Sequence, residues 1–93
     1  MLNLKRQNFK VEKAEINGEE IFIRHMTMSE IEKMSKEKGF LKIPKMLIKM
    51  CLCDEDGKPL NYTDSDIDGQ PASLIKAIAQ KIMELNDLSE KKS

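Results

Sequence analysis

Polar and apolar residues alternate from Val11 to Ile16 and again around Ile21 to Ile23, and an Asn17-Gly18 pair separates the two runs. A period of two is the pattern of a strand with one covered face, and Asn-Gly suits the left-handed backbone of a tight hairpin turn. Residues 9–24 are therefore expected to form a β-hairpin. Two registers stay open: a two-residue turn gathers Ala14, Ile16, Ile21 and Ile23 on one face, whereas a three-residue turn gathers Val11 with Ile21 and Ile23.

Beyond residue 25 the period lengthens to that of a helix. In Met26-Thr27-Met28-Ser29-Glu30-Ile31, Thr27 can cap the first amides, Glu30 can reach back to it and Met26 can pack on Ile31. A helix is expected from about residue 28 to Lys38, closed by Gly39 in the left-handed conformation, with a narrow apolar side of Met28, Ile31 and Met34. Pro44 suits the first turn of a second helix, and Lys45 to Cys53 is apolar nearly all round except for Lys45 and Lys49, four apart on one stripe.

That central, buried helix should end at Asp54-Glu55-Asp56-Gly57, and Thr63 can cap a short helical turn over residues 63–66. Pro71 opens the last helix, with Leu74, Ile75, Ile78, Ile82 and Leu85 at helical spacing opposite Lys76, Gln80 and Glu84. Asn86 or Asp87 ends it, and Leu88 is expected to fold back onto the core.

These elements add up to an α+β fold in one domain of 93 residues: an arm over 1–8, the hairpin over 9–24, a helical part over 27–88 and a frayed tail over 89–93. The hairpin packs on a small bundle of about three helices, whose second and third members supply a core of Leu47, Ile48, Leu52, Ile75, Ile78, Ile82 and Leu85. A chain this short buries roughly 60–65% of its unfolded surface, so the core is thin and a water-excluding catalytic cleft is hard to build.

Composition narrows the function. Acidic and basic residues balance at 16 each, and 40% of residues are hydrophobic, which suits a folded domain with no global field for nucleic acid or an anionic membrane. Of the basic residues only Arg6 and Arg24 are arginine, the side chain that base and phosphate recognition favours. No apolar run reaches the length of a membrane span, and the N-terminus lacks a signal-peptide core, so the expected location is the cytoplasm. Cys51 and Cys53, two apart in the expected central helix, point to different sides and are expected to be reduced, buried thiols.

Candidate chemistry is sparse. Asp64-Ser65-Asp66-Ile67-Asp68-Gly69 opens like a calcium-binding loop, but the eighth position is Pro71 and the twelfth, which needs a bidentate Glu, is Ile75. Asp64, Asp66 and Asp68 are thus weak metal candidates, better suited to starting helical turns, and no metal or other cofactor is expected. The single histidine, His25, has no nucleophile nearby in sequence, and Gly18, Gly39, Gly57 and Gly69 are scattered over turns rather than clustered for phosphate, so no catalytic residues are assigned. Among seven methionines, Met46, Met50 and Met83 fit the core, while Met28 and Met34 on the sparse first helix are the candidates for touching a partner.

The order of these segments resembles the tail assembly chaperones of long-tailed phages and prophages. A hairpin leads into Ile23-Arg24-His25-Met26-Thr27-Met28-Ser29-Glu30, a buried helix ends in Asp54-Glu55-Asp56-Gly57-Lys58-Pro59-Leu60, and Tyr62-Thr63-Asp64-Ser65-Asp66-Ile67 follows. The last helix closes on Glu84-Leu85-Asn86-Asp87-Leu88-Ser89-Glu90, so the resemblance spans roughly residues 9–90. A short link between the first two helices, and Lys in place of much Arg and Ala, depart from the family pattern.

The resemblance implies a protein that binds the tape measure protein in the bacterial host's cytoplasm and keeps it soluble until tail tube subunits polymerise around it. The tail tube protein is then a second contact, and self-association stays open. Two other readings are a structural head or tail morphogenesis protein and a metal-binding interaction module.

Overall fold

The computed structural model describes residue 5 and residues 10–88. Phe9, the arm expected over 1–8 apart from Lys5, and the tail expected over 89–93 lie outside the described residues. Asn17 and Gly18 take positive φ values of 54° and 82°, the backbone of a tight two-residue turn. The turn joins β1 (Val11–Ile16) to β2 (Glu19–Arg24), with Ala14 opposite Ile21 and Ile16 opposite Glu19. Of the two open registers this is the first. Ala14, Ile16, Ile21 and Ile23 share the face turned to the core, and Val11 falls on the other face with Phe22.

Helix α1 (Met28–Lys36) starts as expected: Glu30 N–H donates to Thr27 Oγ1 at 3.2 Å and Thr27 N–H donates to Glu30 Oε1 at 2.9 Å. It stops earlier than Lys38, because Lys36-Glu37-Lys38 has no apolar residue to hold a further turn on the core. Glu37 is already extended, and Gly39, expected to close α1 in the left-handed conformation, opens the next helix instead. Its carbonyl accepts the amides of Lys42 and Ile43 at 2.8 and 3.3 Å.

Helix α2 (Lys42–Cys51) carries Pro44 in its first turn, where the missing N–H costs nothing. The apolar run does not continue as helix to Cys53. Leu52 and Cys53 form a short strand, β3, antiparallel to β2, with Leu52 opposite Ile23 and Cys53 opposite Phe22. The sheet order is β1-β2-β3, so the hairpin gains a third strand that satisfies part of β2's outer edge. Both cysteines are free and buried, though only Cys51 is helical.

Two further helices complete the described residues, α3 (Asp64–Asp68) and α4 (Ala72–Leu85), the latter opened by Pro71 and packed on α2. Helix α4 ends in a Schellman arrangement with Asp87, at φ 56°, in the place glycine usually takes. Leu88 N–H donates to the Met83 carbonyl at 2.7 Å and Asp87 N–H to that of Glu84 at 3.2 Å. The core holds Leu47, Ile48, Leu52, Ile78 and Ile82 as expected, together with Ile23, Cys51, Ile67 and Ala79; Ile75 and Leu85 pack around it half-buried.

Candidate functional site

A groove of about 490 Å³ opens between the hairpin and the helical side of the molecule. Ile48, Leu52 and Ile78, all core residues, contribute its apolar interior. Ile16 and Ile21 line it from the sheet, and Ile67, Leu74 and Ile75 from α3 and the start of α4. Its polar lining consists of Asn17, Glu19, Tyr62, Asp66 and Gln70. The volume lies within the range of about 300–1,000 Å³ common for ligand sites, and the lining is mostly aliphatic, as binding grooves for apolar segments are.

Local sequence explains why the groove is open. Ile16 sits directly before the turn, at the end of β1, and stays half-buried. On the other side the short α3 is tied to α2 by two ion pairs: Lys45 Nζ to Asp68 Oδ1 and Lys49 Nζ to Asp64 Oδ1, each 2.6 Å. The two lysines and the two aspartates are each four apart, so the helices meet stripe to stripe in opposite directions. Ile67 between the carboxylates is then buried against the core.

The calcium-like run is thereby committed elsewhere. Asp66 accepts the Thr63 amide at 2.9 Å while Thr63 Oγ1 accepts that of Asp66 at 3.2 Å, a second capping box. Thr63's hydrogen bonds hold the Asp66 carboxyl below its ordinary value, and Lys49 does the same for Asp64. Among the described residues no three His, Cys, Asp or Glu side chains gather where they could hold a metal ion.

A polar cluster beneath the first helix was not legible in the sequence. Arg24 is 8% exposed. Its guanidinium donates to Glu30 Oε2 at 2.8 Å, to the Met50 carbonyl at 2.6 Å and to the His25 carbonyl at 3.0 Å. Glu30 thus spends one oxygen on the cap of α1 and the other on Arg24. Burial alone would push its carboxyl up, but the Arg24 and Thr27 hydrogen bonds together bring it below its ordinary value.

His25 Nε2 lies 2.5 Å from Glu12 Oε2, linking the start of β1 to the end of β2. Burial pushes the Cys51 thiol up to about 12 and the Cys53 thiol upward too, so neither is a thiolate at neutral pH.

The methionine candidates part company. Met28 is 74% exposed, whereas Met34 packs against the core, and neither lines the groove. Phe40 and Leu41, in the link from α1 to α2, are also exposed, at 75% and 69%. The groove residues escaped the sequence reading because Ile16, Leu74 and Ile75 follow the same periodicities as core residues; an isoleucine beside a turn was the available signal.

No family model, curated protein or solved structure matches the chain. Among the described residues no helix is long and apolar enough to cross a membrane.

Proposed function

We propose that this chain is a tail assembly chaperone of a long-tailed phage or prophage, which binds the tape measure protein in the bacterial cytoplasm and keeps it soluble before the tail tube polymerises. The resemblance over residues 9–90 supplies the identity of the partner. The observation that carries a binding role is the open aliphatic groove between the hairpin and α4, since a domain with so thin a core gains stability by closing such a surface unless something else covers it. An amphipathic segment of a long helical protein is of the kind that such grooves accept.

In this reading the protein acts by covering apolar surface and then leaving, without a chemical step. His25 and Glu12 engage each other, and the buried thiols are protonated, which agrees with a role free of catalysis. Co-expression with a tape measure protein from a long-tailed phage tests the proposal: that protein should become soluble and co-purify. If it stays insoluble and uncaptured, the chaperone reading fails, and the chain should then be sought in purified particles as a structural component.

A further inference from the structure

Resting on the chaperone reading, we propose that the groove accepts an amphipathic α-helix whose apolar stripe is flanked by Lys or Arg. The charge at its mouth argues for this partner. Of the lining residues, those ionised at neutral pH are Glu19 on β2 and Asp66 on α3, both carboxylates. Glu19 and Asp66 are exposed and form no ion pair among the described residues, while Lys45 and Lys49 on α2 are paired with Asp68 and Asp64, and Lys81, which lies with Ile16 and Asn17 around a second hollow, with Glu84. A chain of zero net charge therefore presents local negative charge beside its open apolar surface. A basic flank on the partner would be drawn to it, and an acidic flank repelled.

The backbone argues for a helix. The sheet turns chiefly its face to the groove, since Ile16 and Ile21 lie on the side that packs on the core. The remaining walls are mostly side chains of α2, α3 and α4, with Leu52 of β3, Tyr62 and Gln70. A strand docked there would find at most the short stretch of β2, residues 19–21, that β3 leaves unpaired, and the rest of its amides and carbonyls would be stranded in an apolar site. A helix brings its backbone already satisfied and offers side chains at i, i+3, i+4 and i+7 to a cleft of this size.

The test uses the full chain and two synthetic helical peptides of about 18 residues, identical in their leucine stripe and flanked by Lys in one and Glu in the other. Fluorescence anisotropy should show the Lys-flanked peptide binding about tenfold tighter at low salt, with the gap closing as salt is raised. Glu19→Lys should shrink that preference and leave the melting temperature unchanged, since Glu19 is exposed and unpaired. Equal affinities, a preference for the Glu-flanked peptide, or a preference untouched by Glu19→Lys would overturn the inference. So would a chain that is dimeric through this groove and binds neither peptide. Capture of the tape measure protein, measured on the same preparation, separates the two levels: if it succeeds while the peptide preference is absent, the charge rule falls and the chaperone reading stands; if both fail, both fall.

Discussion

Arg24 shows what a single side chain contributes to this fold. It ties the end of β2 to the cap of α1 through Glu30 and to the end of α2 through the Met50 carbonyl. Arg24→Met keeps much of the apolar stem but leaves two carbonyls and a carboxylate without this donor, and denaturation should show a loss of about 2–4 kcal/mol. Glu30 gives the cluster a pH signature. Its folded-state carboxyl lies below its ordinary value, so it adds stability that is complete above its unfolded value and lost as pH falls through the folded one. Melting temperature should drop as pH falls through and below the ordinary carboxyl range, and less steeply in Glu30→Gln, which keeps the capping geometry. Glu12, Asp64 and Asp66 titrate in the same direction, so the variant should flatten the profile without abolishing it. The Thr27-Glu30 box was legible because its partners are three residues apart; Arg24 was not, because Met50 reaches it only through the tertiary fold.

At the scale of elements, turn chemistry and capping were the reliable signals, and apolar runs were the ambiguous ones. Asn17-Gly18, Thr63 with Asp66, and Pro71 each start or join the element their chemistry favours. Leu52 and Cys53 belong to an apolar run that carries no periodicity, and the unpaired edge of β2, invisible in the sequence, turns them into a strand. The paired lysines and aspartates of α2 and α3 were each visible as i, i+4 stripes, yet only the fold sets them opposite each other. Helix α3 should depend on that docking: in Lys45→Ala/Lys49→Ala its amides should exchange hydrogen faster, while those of α4 remain protected. Ile67→Ala, which empties a buried site beneath α3, should cost about 2–4 kcal/mol by denaturant titration.

Over the whole molecule, three strands and α2, α3 and α4 enclose a core that stops short of the hairpin tip. Ile78 belongs to that core at 8% exposure. Ile78→Asp should unfold the protein, because an unpaired buried carboxylate costs several kcal/mol, comparable to the stability of a small domain; a variant that melted like the parent would displace Ile78 from the core. The core itself was largely legible from helical spacing. The groove was not, since the same aliphatic pattern serves a buried face and an open one, and only the relative placement of the hairpin tip and α4 separates them.

The central claim is that this groove holds the partner, and Leu74→Glu tests it most directly. Leu74 is a half-buried wall residue in the first turns of α4, where a carboxylate favours the helix dipole, so the fold should survive while the groove becomes polar. Co-expressed with the tape measure protein, the parent should capture it in soluble form, and Leu74→Glu, melting like the parent, should lose most of that capture. Capture undiminished by the variant would place the partner elsewhere on the surface, and a parent that captures nothing would contradict the account as a whole.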